Sequence, residues 1–397
     1  MTAHTDMLTS DVSSSGAKRP LAADANRPIA LVDLKAQQNR IRSAIDGRIR
    51  TVMDHGKYVD GPEIAQLEDA LAVRTGAADV VLCSSGTEAL EFAMMAQGIG
   101  PGDAVFIPGF TYNATASAVL MVGATPVFVD VNERTFNMDT PDLACKVNQV
   151  KKAGKLNPRL VIPVDLFGLP ADYPAISDVA QEFGLFVLAD AAQSFGGGQG
   201  GRWVGNLVPM TATSFFPAKP LGCYGDGGAI FSQSREQADI LRSIRWHGTD
   251  ESHTESVRPG TNGRMDTLQA AILLVKLTIF DDELARRRCI AALYNERLGD
   301  RVKLPICPPQ TQSGWSLYSI LLDDRDRVQA ALTDAQIASA IYYKQPLHQM
   351  KAFKAFASPQ GLPVSEKLSG QILSLPIHPY LTDDQVHHIC DTVLAAL

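Results

Sequence analysis

The sequence predicts an α/β fold, with a mostly parallel central sheet in a large domain and a smaller C-terminal α+β domain. Short apolar runs alternate with helical stretches through the middle of the chain, the pattern of strands covered on both faces. The turns between them carry Gly, Pro and hydroxyl residues, as loops at strand ends do. With 397 residues, 45% hydrophobic and 20% charged, the chain is long enough for one large core and a second smaller one.

Residues 1–28 are rich in Ser, Ala, Asp and Thr, include Pro20 and Pro28, and are expected to form a mobile tail. From Leu31 to Ala72 the pattern is helical, with Ile41, Ala44, Ile45 and Ile49 at helical spacing and a break at Gly56, Gly61 and Pro62. Val80–Cys83, Val105–Ile107, Val127–Val129, Leu160–Pro163, Leu185–Ala189 and Ala212–Phe216 read as buried strands. Glu88–Ala96 and Tyr173–Phe183 read as helices between them. The large domain is expected over 29–275 and the smaller one over 276–397, opening with a helical run from Lys276 to Leu298. Within that run, Arg286, Arg287 and Arg288 are expected to form a solvated face. His387 and His388 are expected at the surface, because adjacent helical residues point apart and no third ligand accompanies them; no metal site is expected.

The formal charge of −7 and sequence pI near 5.6 argue against a constitutive nucleic-acid or anionic-membrane surface. No stretch approaches the ~18 consecutive apolar residues of a membrane span. Six cysteines are scattered without a C-x-x-C pair, so reduced thiols and a cytoplasmic location are expected.

In an open parallel sheet the chemistry belongs on the loops after the strands. Ser84-Ser85-Gly86-Thr87 precedes a helical pattern, where free N–H groups can hold a phosphate or the hydroxyls can simply cap. Pro108-Gly109-Phe110-Thr111-Tyr112-Asn113-Ala114-Thr115 places aromatic residues at a strand end, either as a platform for a planar ring or as core filler. Gly184–Ser194 is an apolar strand ending in Asp190, either a buried carboxylate awaiting a cationic partner or a helix cap. Thr211–Ser232 sets Lys219 between Pro217 and Pro220, with Gly222, Gly225, Gly227 and Gly228 allowing tight reversal. A lone loop lysine is ordinarily solvated. Together, a phosphate cradle, an aromatic platform, a strand-end carboxylate and a constrained lysine meet the needs of pyridoxal 5'-phosphate.

These motifs, with Asp33-Leu34-Lys35, Gly61-Pro62-Glu63 and NGRMDTLQAAIL at Asn262–Leu273, resemble the DegT/StrS family of sugar aminotransferases over nearly all the chain after the tail. The resemblance implies an aspartate aminotransferase-like pyridoxal phosphate fold of type I. It is strongest to members that transfer an amino group from L-glutamate to C3 of a UDP-linked 3-oxo-N-acetylglucosaminuronic acid, work that serves surface polysaccharide or related glycan biosynthesis. The resemblance makes Lys219 the Schiff-base lysine and Asp190 the partner of the pyridine nitrogen. Gln193 falls at the ring hydroxyl, Gly86, Thr87 and Ser214 at the phosphate, and Tyr112 against the ring. Asn262 reaches the phosphate of a second subunit, which implies a homodimer with shared active sites.

Arg264 is a candidate for a substrate anion, or else for a structural ion pair with Asp266 or another acid. Tyr342 and His348, in a segment resembling a family loop that lines the sugar pocket, are candidate substrate contacts. The chain departs from the family pattern at Asp250-Glu251-Ser252-His253, where relatives tend to carry basic residues, and at Lys344, where proline is usual. Three rivals remain at this level: a 4-oxo-sugar aminotransferase, a non-catalytic homologue that binds pyridoxal phosphate, and a sugar dehydratase. The last replaces the lysine with histidine, whereas this chain keeps Lys219.

Overall fold

The computed structural model describes residues 28–397, so the expected tail falls, Pro28 apart, outside the described residues. Asp33 accepts the Ala36 N–H and starts α1 (Leu34–His55), which Gly56 ends in the left-handed conformation at φ +69°. Pro62 opens α2 (Pro62–Thr75). Alternation then sets in: β1 (Asp79–Cys83), α3 (Gly86–Ala96), β2 (Asp103–Pro108), α4 (Ala114–Met121), β3 (Thr125–Val129) and α5 (Thr140–Ala153). It continues with β4 (Asn157–Val161), α6 (Tyr173–Phe183) and β5 (Phe186–Asp190). Short strands β6 (Gly198–Gln199) and β7 (Arg202–Trp203) precede β8 (Met210–Ser214), β9 (Gly228–Ser232) and α7 (Arg235–Arg245).

The main sheet has seven strands in the order β1-β9-β8-β5-β4-β2-β3. Five strands from β8 to β3 run parallel, and β9 is antiparallel to both its neighbours. Both faces are covered. Along β1, Val81 and Cys83 pack with Leu90 and Phe92 of α3, while Val80 and Leu82 pack with Leu67 and Leu71 of α2. That alternation explains why the strands read as continuous apolar runs: neither face meets water. One consequence governs the site. The carboxyl ends of β2, β4, β5 and β8 lie along one edge, and the loops after them converge there.

Beyond the sheet come α8 (Thr267–Leu277), α9 (Phe280–Leu298), β10 (Thr311–Gln312), β11 (Tyr318–Leu321), α10 (Arg325–Asp334), α11 (Pro363–Gln371), β12 (Ile372–Leu375) and α12 (Asp383–Ala395). A separate apolar cluster joins Ile290 and Tyr294 of α9, Ile320 of β11, Leu373 of β12 and Ile389 of α12. Ile29 belongs to it and pairs with Ile337. A boundary at 275/276 would fall in the last turn of α8.

Two helix expectations need correction. The run from Lys276 is not one helix: Thr278 and Ile279 donate to the carbonyls of Val275 and Lys276, closing α8 before α9 starts at Phe280. Nor do the three arginines share a solvated face. Arg287 is buried and donates to the carbonyls of Trp315 at 3.0 Å and Ile377 at 2.7 Å. Arg287 falls on the stripe that α9 buries, three residues after Leu284 and three before Ile290, while Arg286 and Arg288 flank it. No described helix is long and apolar enough to cross a membrane.

Candidate active site

At the carboxyl end of β5, Asp190 is almost wholly buried. Its Oδ2 accepts the Thr115 hydroxyl at 2.7 Å and its Oδ1 accepts the Ala192 N–H at 3.2 Å. Burial pushes the carboxyl above the ordinary aspartate range, against these two donors and the charge of Lys219. The opposite shift falls on Lys219. Burial lowers its amine below the usual lysine range, and Asp190 pulls it back up. An acid and an amine so placed sense each other across the site.

Lys219 sits on the loop that β8 delivers. Phe215 is fully buried, its N–H donating to Gly227 at 2.7 Å, and the Cys223 N–H returns to the Phe215 carbonyl at 2.8 Å. Between these anchors the Lys219 N–H donates to Phe216 at 2.9 Å. A Cβ at Gly222 would stand 2.6 Å from the carbonyl oxygens of both Phe216 and Pro217, so only glycine lets the loop close this tightly. Lys219 is half-buried on a stiff turn.

The start of α3 faces the end of β8. Ser85 caps the helix by accepting the Glu88 N–H at 3.1 Å, which leaves the Gly86 and Thr87 N–H groups in the first turn without helical partners. A Cβ at Gly86 would come within 2.6 Å of Ser214 Cβ, so the two segments meet without room for a side chain. The Ser214 hydroxyl accepts the Phe216 N–H at 3.2 Å. Phe110 and Tyr112 take different fates: Phe110 is fully buried core, while Tyr112 is exposed and free to present its ring.

Gln193 is buried with both ends of its amide engaged. Its Oε1 accepts the Phe167 N–H at 2.9 Å, and its Nε2 donates to the Tyr343 hydroxyl at 3.2 Å, leaving one Nε2 hydrogen. Asn262 is exposed, paired with Trp246, and the next residue, Gly263, accepts the Ser84 N–H at 3.0 Å. Arg264 makes no ion pair with Asp266. Its guanidinium lies 4.1 Å from the Trp246 ring centroid, with the His253 ring 4.8 Å from the same indole. Tyr342 is half-buried beside Tyr343. His348 is buried with Nε2 2.9 Å from Glu366 Oε1, so one ring nitrogen is already taken.

Three residues at the site were not singled out from the sequence. Thr115 lay inside the PGFTYNAT motif without a role, and it donates directly to Asp190. Tyr343 sits between Phe110 and Tyr112, with ring centroids at 6.0 and 6.3 Å. Asp165 follows β4 as Asp190 ends β5, an apolar run closed by an acid, and its N–H donates to the Asp190 carbonyl at 3.0 Å. The Asp165 carboxylate is fully buried and accepts from Tyr173 Oη at 2.6 Å, Ser194 Oγ at 2.6 Å and Ala171 N–H at 2.8 Å.

This set fits pyridoxal phosphate: a closed cradle of unpartnered N–H groups, a buried carboxylate and a half-buried lysine of lowered basicity. The DegT/DnrJ/EryC1/StrS aminotransferase family matches residues 39–394. The chain belongs to that family. Among relatives in the DegT/DnrJ/EryC1/StrS family, the UDP-2-acetamido-2-deoxy-3-oxo-D-glucuronate aminotransferase of Pseudomonas aeruginosa is 44% identical, covering 91% of this chain and 98% of the relative. The UDP-N-acetyl-3-dehydro-alpha-D-glucosamine 3-aminotransferase of Acidithiobacillus ferrooxidans is 40% identical, covering 94% and 99%. The crystal structure of a DegT/DnrJ/EryC1/StrS aminotransferase from Brucella abortus superposes with a TM-score of 0.91 at 46% identity, covering 92% of this chain and 99% of that one. The chain therefore has the type I pyridoxal phosphate fold of the family.

Proposed function

We propose that this chain is a pyridoxal phosphate-dependent nucleotide-sugar aminotransferase that moves an amino group from L-glutamate to C3 of a UDP-linked 3-oxo-sugar. The observation that carries the reading is the placement of Asp190, at the carboxyl end of β5, beside β8, with which it pairs at Ala212 and whose following loop carries Lys219. The C3 position draws on the two relatives, whose names both place the amino transfer at C3 of a UDP-linked acetamido sugar.

Bound pyridoxal phosphate supplies a carbonyl that bonds amines and a ring that takes up the electron pair left when a Cα proton departs. The protein's own residues do the rest. The N–H groups of Gly86 and Thr87 and the Ser214 hydroxyl hold the phosphate at the positive end of α3, joined by Asn262 of the partner subunit. The Asp190 carboxyl, oriented by the Thr115 hydroxyl and the Ala192 N–H, would pair with the ring nitrogen. Gln193 would offer its remaining Nε2 hydrogen to the ring hydroxyl, and Tyr112 would cover one ring face. Lys219 would hold the cofactor, and its ε-amine would take the Cα proton of glutamate and return one to the sugar carbon. Its lowered basicity suits that exchange, since an ordinary lysine at ~10.4 would hold its proton near neutrality. Arg264, braced on Trp246, pairs with a substrate anion, while Tyr342 and His348 line the sugar side.

The reading includes a cytoplasmic homodimer with active sites shared between subunits. Borohydride reduction and peptide mapping test the chemistry: the cofactor should be trapped at Lys219, and trapping elsewhere would refute the assignment. A panel of nucleotide oxo-sugars with L-glutamate, scored by 2-oxoglutarate release, tests the substrate. Turnover of 4-oxo-sugars alone would exclude the C3 position. Comparing 3-oxo-sugars with and without a C6 carboxylate decides between a uronic acid and a neutral sugar.

A further inference from the structure

One buried cation takes no part in this chemistry. Lys276, in the last turn of α8, is 2% exposed. Its Nζ donates to the Gly222 carbonyl at 2.6 Å and lies 4.3 Å from the centroid of the Tyr224 ring. Gly222 and Tyr224 belong to the arm that closes the Lys219 loop. Two helical turns earlier, on the same face of α8, Gln269 Oε1 accepts the Tyr224 N–H at 3.0 Å. The fit there is close: a Cβ on Gly225 would stand 2.9 Å from Gln269 Nε2.

Burying an ammonium against a carbonyl and a ring, rather than a carboxylate, is unfavourable by itself. Its partners, however, are parts of one loop, and both polar contacts from α8 end on the same three residues. Burial pushes the Lys276 ammonium down to about 8, against Cys223 and Glu283. The helix that holds it is firmly seated, with Ala270, Ala271 and Leu273 fully buried. We propose that Lys276 is a positioning residue that, with Gln269, clamps the closing arm of the Lys219 loop to α8 and so sets where the Lys219 amine stands. The proposal rests on Lys219 being the reacting amine.

Lys276→Met keeps the side-chain stem and removes the ammonium; Gln269→Leu removes the second hold. Hydrogen exchange on the cofactor-free full chain reads the loop without any amino transfer. Exchange over residues 216–225 should rise about tenfold in each variant while the sheet keeps its protection. On adding pyridoxal phosphate, covalent capture at Lys219 should slow about tenfold, with the KM for L-glutamate within about twofold of wild type. Unchanged loop exchange and capture in both variants would overturn the proposal. So would faster exchange spread through α8 and the sheet, the mark of general packing. Failure of the aminotransferase reading would appear separately, as no capture at Lys219 in the wild-type chain, and leaves the exchange result to decide the clamp.

Discussion

Asp165, a single side chain behind the site, makes its own contribution to the pH dependence of stability. Burial pushes its carboxyl up to about 7, although Ser194, Tyr173 and Ala171 all donate to it. An unfolded aspartate titrates near ~3.9. Below pH ~4 both states hold the proton; between about 4 and 7 the unfolded chain releases it while the folded chain keeps it. The stability that Asp165 contributes is therefore present in acid and lost as pH rises to about 7. Asp165→Asn keeps the neutral shape and removes the titration. The melting temperature of wild type relative to the variant should fall as pH goes from about 4 to 7 and hold constant above; parallel curves would exclude the effect. Asp165 was legible in principle, since the apolar run VIPV leads into an acid as the strand VLAD does. A sequence cannot show which of two strand-end acids faces the lysine and which faces Tyr173 and Ser194, because the side chains' surroundings come from other elements.

At the scale of elements, α3 depends on a contact one atom wide. Gly86 meets Ser214 where a Cβ would sit 2.6 Å from Ser214 Cβ, and a Cβ on Gly228 would stand 2.4 Å from the Ser85 carbonyl oxygen. Gly86→Ala should thus push the helix start away from β8 and weaken pyridoxal phosphate binding by about tenfold or more, while α3 itself stays folded. A titration followed by absorbance, with circular dichroism as control, measures both. The strands β1 to β5 were legible as apolar runs because, over the stretches covered on both faces, consecutive positions are apolar. Strand β9 was not. Its run Ala229–Phe231 is short and glycine-led, and its antiparallel pairing with β1 and β8 is a property of the sheet rather than of the segment. Arg287 was misread for a related reason. A run of three like charges resembles a solvated face until the carbonyls of Trp315 and Ile377, from distant segments, are folded around its middle member.

At the scale of the molecule, the question is whose phosphate Asn262 serves. Asn262 is exposed, while its neighbour Gly263 is tied to Ser84 beside the start of α3 in the same chain. Close by, the Thr267 N–H donates to Tyr58, and Tyr58 and Val59 expose apolar surface at the start of α8. Apolar residues left open beside a polar side chain of proposed function are what a second subunit would cover. Mixed dimers separate the two arrangements. Lys219→Ala and an Asn262 variant too weak to hold the cofactor should each be inactive alone. In a mixed dimer with shared sites, one site combines both defects and the other combines an intact Lys219 with an intact Asn262. Random mixing makes about half of the dimers mixed, each with one of two sites restored, so co-refolding equal amounts should recover about a quarter of wild-type activity. If Asn262 served its own protomer, every site would carry one defect and no activity would return.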